Sequence, residues 1–105
     1  MPEFGSPFSG QASKNKLSHE ELIRAIRFMV AAEYEAVQMY MQLADSTDNQ
    51  FVQAVLKDIA DEELIHAGEF LKVLFRLAPE EERLYKNGAE EVDEIMKKTP
   101  YLQEK

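Results

Sequence analysis

VQAVLKDIADEELIHAGEFLKVLFRL, residues 52–77, reads as one long helix. Within it Val52, Leu56, Ile59, Glu63, His66, Phe70, Val73 and Leu77 follow one another at steps of three and four. That spacing lays a row of side chains along one face of an α-helix. Upstream, Ile23, Ile26, Val30, Glu33, Val37, Tyr40 and Ala44 repeat it. From Leu17 to about Asp45 there is no Gly or Pro, and Ala, Glu, Leu and Met, all good helix formers, are frequent. Ser18 followed by Glu21 forms a capping box, with Leu17 placed to act as one side of a hydrophobic staple. Ser46-Thr47-Asp48-Asn49 breaks the run and offers new N-caps. The second helix is expected to run to about Ala78. Pro79 opens a short third piece, a position proline favours. Asn87-Gly88 reads as the C-cap that ends it, and a last short helix is expected over Ala89–Lys98, before Thr99-Pro100. No strand signal occurs, so the class is all-α.

Residues 1–16, MPEFGSPFSGQASKNK, have no helical or strand period. They read as a disordered arm, or as a cloning scar, since Glu3-Phe4 and Gly5-Ser6 are pairs that restriction sites often encode. They hold no apolar core flanked by charge, so they do not read as a signal peptide. Residues 17–98 are expected to form one helical domain and 99–105 a flexible tail. The whole chain has 105 residues, the size of one domain.

Twelve basic and twenty acidic side chains leave a net charge of −8. A nucleic-acid binder would carry a basic stripe instead; this balance suits a protein that handles cations or basic partners. There is no cysteine, which excludes disulfide scaffolds, thiolate zinc sites, rubredoxin-type iron sites, iron–sulfur clusters and cysteine nucleophiles. No apolar run reaches the about 18 residues needed to span a membrane.

Each long helix would extend about 40 Å at about 1.5 Å per residue. Joined by a short turn they make a hairpin, which buries one face of each helix and leaves the rest wet. Ile26, Phe28, Met29, Val37, Met41, Val55, Phe70 and Leu74 need more cover than that. A second copy supplies it, two hairpins making a four-helix bundle, so an obligate homodimer or higher multiple is expected. The alternative is a compact monomer closed by its C-terminal helices.

Glu33 interrupts the apolar row on the first helix; Glu63 and His66 interrupt it on the second. A carboxylate on a buried face is costly unless a partner or a metal relieves it. Glu63 and His66, at i and i+3, project from one helical face. A Glu from one helix with Glu-x-x-His from its neighbour is half the ligand set of di-iron and di-manganese carboxylate bundles; the full set needs four carboxylates and two imidazoles. One chain has the half and two chains have the whole, so the ligand count asks for the same dimer as the apolar face. Carboxylates and imidazole suit Fe, Mn and Zn. The competing reading is a buried Glu–His pair that fixes helix register.

Tyr40 lies two turns beyond Glu33 on the same face, either bonded to a site carboxylate or as a core tyrosine. Glu35 is off the row, a solvated charge or, in a dimer, the flank of an entrance for cations. Glu62 and Asp61 read as surface, and Glu69 as a candidate partner for the His66 imidazole. His19 reads as surface, and Met29, Met39 and Met41 as bundle packing. Glu80-Glu81-Glu82 reads as a solvated helix start that favours the dipole.

These residues resemble the encapsulated ferritins, ferritin-like proteins that are cargo or fused domains of encapsulin nanocompartments. The resemblance rests on Ala32-Glu33-Tyr34-Glu35-Ala36-Val37 with Met39-Tyr40, on Asp61 to Phe70 (DEELIHAGEF), and on Ala78-Pro79-Glu80 to Gly88-Ala89-Glu90-Glu91-Val92. It covers about Leu17 to Lys98. It implies a protomer of two long helices and a shorter C-terminal one, half a ferritin, whose dimer builds a ferroxidase centre at the subunit interface. Glu33, Glu63 and His66 would be the iron ligands, two irons per dimer, with Tyr40 beside them and Glu35 in an outer metal site. It also implies a ring of five dimers in the cytoplasm inside an encapsulin shell, which would store the mineral. Some relatives carry a further acidic residue just before the ligand Glu; here it is Ala32, a departure that touches only the outer site. The docking tail of a separate cargo protein is not found in Tyr101-Leu102-Gln103-Glu104-Lys105. Either the chain was cut, or the domain is normally fused to a shell protein, or it enters no shell.

Three functions are thus expected to compete: a ferroxidase, a rubrerythrin-like peroxide reductase served by a separate electron donor, and an assembly module whose Glu–His cluster only pairs chains.

Overall fold

The computed structural model describes Gly10 and residues 12–99. The expected arm over 1–16 and tail over 99–105 lie mostly outside the described residues. Three helices make the fold: α1 (His19–Asp45), α2 (Gln50–Leu77) and α3 (Pro79–Lys98). The described residues contain no strand.

Local chemistry sets the ends. Ser18 Oγ accepts from the Glu21 N–H at 3.1 Å while the Ser18 N–H donates to Glu21 Oε1 at 2.8 Å, the reciprocal capping box. Asn49 Oδ1 accepts from the Val52 N–H at 3.1 Å and caps α2. The turn between them is tied by Gln53 Nε2 donating to Thr47 O at 2.6 Å and Ser46 Oγ to Gln42 O at 2.7 Å. Pro79 opens α3, as expected. At the other end of the hairpin, His19 Nε2 lies 3.0 Å from Leu77 O, so the ring N–H donates to a carbonyl at the end of α2. His19 is exposed, as read, and it ties the start of α1 to the end of α2.

One expected boundary is absent. α3 runs unbroken through Asn87-Gly88 for 20 residues, and Gly88 lacks the positive φ of a helix C-cap. A glycine inside a helix costs about 1 kcal/mol relative to alanine, too little to end it by itself. Three glutamates in the first turn and Lys97 and Lys98 in the last complement the helix dipole along the whole length.

The hairpin core differs from the expected rows on one side. On α1 the buried residues are Ile23, Val30 and Ala44, all from the expected row and all at multiples of seven. On α2 they are Ala60, Ala67 and Leu74, also seven apart, and none belongs to the row Val52–Leu77. Small alanines let the two backbones approach, so the line of closest approach falls on them. The row carrying Glu63 and His66 is turned to the flank. Leu74, expected to need further cover, is buried by the hairpin alone. Phe28, Met29 and Val55 stay exposed, as expected, and Ile26, Val37, Met41 and Phe70 are half covered.

α3 does not fold back over the hairpin. None of its residues is buried, and the molecule is a slab 56 × 45 × 19 Å with a Cα radius of gyration of 18.4 Å. A closed 105-residue domain would have a radius near 13 Å. The compact monomer closed by C-terminal helices is therefore not what forms. α1 and α2 together leave one long apolar flank: Leu22, Met29 and Leu43 from α1, Val55 and Val73 from α2, each exposed. No helix is long and apolar enough to cross a membrane.

Candidate metal centre

Glu33 sits near the middle of α1, and Glu63 and His66 near the middle of α2. The antiparallel pairing brings them level. One ligand atom from each lies within 4.8 Å of the others. His66 Nδ1 stands 3.5 Å from Glu63 Oε2 and 3.7 Å from Glu33 Oε2, too long for good hydrogen bonds. The Glu33 and Glu63 side chains are 17 and 19 % exposed, and the imidazole 46 %. The cluster opens on the apolar flank and is half walled.

Glu33 Oε2 is itself buried and has no hydrogen-bond partner among the described residues. Such an orphan is rare in folded proteins. Its carboxyl is held above the ordinary carboxylate range, first by the neighbouring Glu63 carboxylate, then by burial, with His66 acting weakly the other way. Two carboxylates and an imidazole brought to this spacing without satisfying one another are a donor set of the kind that can hold a cation. The geometry fits a divalent ion of the iron, manganese or zinc kind.

The other candidate residues divide. Tyr40 is part-covered two turns along α1, and no described residue accepts a hydrogen bond from its hydroxyl. Glu35 is part-covered and engaged in an interaction of its own, and it is not one of the three clustered residues. Asp61 and Glu62 are exposed, as read. Glu69 is exposed too, and among the described residues it makes no hydrogen bond to His66. Of the acidic run, Glu81 departs from the reading as a solvated charge: its side chain is only 11 % exposed, because Arg27 of α1 takes it. Arg27 and Glu81 are 54 positions apart, and no local sequence signal joins them.

The family model described as Rubrerythrin matches residues 19–105. The chain is 40 % identical over 76 residues to the ferritin-like–encapsulin shell fusion protein of Pyrococcus furiosus, which covers 72 % of this chain and 22 % of that protein. It is 37 % identical over 90 residues to the encapsulin nanocompartment cargo protein EncC of Myxococcus xanthus, covering 86 % of this chain and 68 % of that protein. The chain thus spans about a fifth of the first relative and two thirds of the second. The crystal structure of the encapsulated ferritin domain from Pyrococcus furiosus superposes with a TM-score of 0.76 at 36 % identity, over 78 % of this chain and 84 % of that one.

Proposed function

The chain belongs to the rubrerythrin family of ferritin-like proteins, and from that premise we propose that it is a ferroxidase, oxidising Fe(II) to Fe(III) with dioxygen. The observation that carries this reading is the orphaned, buried Glu33 Oε2 inside the Glu33–Glu63–His66 cluster.

Fe(II) is the substrate. Glu33, Glu63 and His66 would hold one iron per chain, and a second copy laid on the apolar flank would bring a second set against the first. Two copies together offer four carboxylates and two imidazoles, the complement of a two-metal carboxylate site. Two irons bound side by side can each give dioxygen one electron. Before iron arrives, the Glu33 and Glu63 carboxylates repel each other; a cation bound between them neutralises both. The His66 imidazole would offer a ring nitrogen, and its exposed part would face the partner. Tyr40 would donate to a site carboxylate once the dimer closes over it, and Glu35 would contribute an outer cation site. The apolar rim of Leu22, Met29, Leu43, Val55 and Val73 would exclude water from the joined centre.

The dimer, and a ring of dimers built from it, are part of the same proposal, supported by the uncovered flank. The relatives' names supply a setting. One is fused to an encapsulin shell and the other is a nanocompartment cargo, so an encapsulin shell in the cytoplasm is the proposed partner and place. With no cysteine in the chain, a peroxide-reducing cycle would need its electrons from another protein.

An anaerobic Fe(II) titration followed by air tests the reading. The expected result is saturation at one tightly bound iron per chain and ferric formation well above the protein-free rate. Faster oxidation by peroxide than by dioxygen would replace ferroxidase with peroxide reductase. No tight binding and background oxidation would reduce the three residues to a structural cluster.

A further inference from the structure

The attachment of α3 to the hairpin rests on very little. Ala78, with φ −136° and ψ 74°, separates two helices whose axes diverge there, and no side chain caps the start of α3. On the hairpin side the joint is anchored, because His19 holds the Leu77 carbonyl and the Ala78 N–H donates to Leu74 O at 2.7 Å. On the far side, among the described residues, no hydrogen bond or ion pair joins residues 86–98 to α1 or α2. The hydrogen bonds, ion pair and ring contact that join α3 to α1 and α2 all lie in its first two turns.

There the contacts are specific. Arg27 Nε donates to Glu81 Oε1 and Oε2 at 3.1 and 3.2 Å, and Arg27 Nη2 donates to Oε1 at 2.5 Å. This is a forked, charge-assisted grip from α1. Tyr85 Oη donates to the other side of the same carboxylate, at Glu81 Oε2. The Tyr85 ring stands edge-on to Phe75 of α2, with centroids 5.7 Å apart and planes at 64°. Glu81 is thus held by α1 and by its own helix, while Tyr85 is held by Glu81 and by α2. α1 and α3 meet at one carboxylate, and α2 is joined to it through the Tyr85 ring.

We propose that Arg27, Glu81 and Tyr85 form a latch that sets the angle at which α3 leaves the hairpin, with Ala78 as its hinge. α3 is then a lever. Its tip is about 28 Å from the joint at about 1.5 Å per residue. A swing of about 15° moves that tip by about 7 Å, and moves with it the exposed Val92, Ile95 and Met96. Breaking the latch frees the arm without unfolding it, since its helical hydrogen bonds are internal. The latch lies off the apolar flank and away from the metal cluster, so this inference does not depend on the iron reading.

The chain contains no cysteine, so spin labels can be placed without background. Asp61→Cys on α2 and Glu94→Cys on α3, both exposed, give a pair whose distance reports the arm. Labelled chains are diluted in excess unlabelled protein, so that only distances within one chain are read by double electron–electron resonance. The expected result is a narrow distribution in the parent. Glu94 lies about 24 Å from the joint, so a swing of about 15° carries it about 6 Å. Arg27→Gln or Glu81→Gln should broaden the distribution by up to about that much, with unchanged circular dichroism. The exchanged pair Arg27→Glu with Glu81→Arg should narrow it again, which a general loss of structure would not allow. Tyr85→Phe should broaden it less. A distribution as narrow in the single variants as in the parent overturns the proposal. So does one already broad in the parent, a loss of helix with the latch, or an exchanged pair that stays broad.

Discussion

Glu63→Ala is expected to abolish tight iron binding and leave the metal-free protein about as stable as before. The size of each term follows from the cluster. Two carboxylate charges at 4.8 Å, the outer limit of the group, repel by 332/(20 × 4.8), or about 3.5 kcal/mol at an effective dielectric constant of about 20. Both side chains touch water, so about 1 kcal/mol of that survives screening. Removing Glu63 relieves it. Truncating a part-covered side chain costs about 1 kcal/mol in the other direction. The two nearly cancel, and the metal-free Tm should move by no more than about 5 °C either way. A structural Glu–His pair behaves otherwise, since breaking it costs about 3–5 kcal/mol. That would lower Tm by more than about 12 °C. In the proposed shared centre, three ligands from each of two chains would make six, and the substitution would remove one from each chain. Loss of mere supporting residues already costs metal sites about 10–100-fold, so Fe(II) affinity should fall by at least about 100-fold. Thermal melts in chelator, at one fixed chain concentration, and anaerobic Fe(II) titration read the two arms. A collapsed metal-free Tm, or a variant that still oxidises iron above background, refutes the reasoning.

Three further outcomes are expected. Val55→Lys places a charge on the apolar flank eight residues from Glu63, touching no ligand. Sedimentation should show the dimer dissociating, and tight iron binding should vanish with it while helix content holds. Gly88→Ala should stabilise α3 by about 1 kcal/mol, because a Cβ there meets nothing within 4 Å and the backbone is helical; a Tm that falls would mean Gly88 serves as a break after all. The latch should depend on pH. Arg27 first, then Tyr85, hold the Glu81 carboxyl below its ordinary range, so its folded value lies under its unfolded one. Its contribution is complete above the unfolded carboxylate range, near pH 4.3, and is lost as pH falls through the lowered value. On the alkaline side Tyr85 is pushed up, chiefly by Glu81, and Arg27 is raised too, with Glu20 adding to Glu81's pull. Tyr34 also faces Tyr85. The arm should therefore stay latched through and beyond the usual tyrosine range, and the spin-label distance should broaden only in acid.

The Glu33–Glu63–His66 cluster was legible because it is a local pattern that repeats the helical period. Glu63 and His66 share a face by their spacing alone, and Glu33 breaks an apolar row at the level the hairpin turn makes it meet them. The capping box at Ser18 and the cap at Asn49 are equally local. What failed was whatever depends on a choice among nearly equal energies. Asn87-Gly88 carries a C-cap signal, but a lone glycine costs too little to stop a helix whose ends both suit the dipole. On α2 two adjacent rows could face α1, and side-chain size decided between them.

The sequence by itself determined the two long helices, where the third begins, and which three side chains share a level on the hairpin, because caps and the 3.6-residue period act within a few positions of the chain. Only the tertiary structure decided that Ala60, Ala67 and Leu74 form the hairpin seam, that Glu33 Oε2 is left buried without a hydrogen-bond partner among the described residues, and that Arg27 reaches Glu81. Each of these turns on which surfaces approach across dozens of residues, a matter of packing distance that no local pattern encodes.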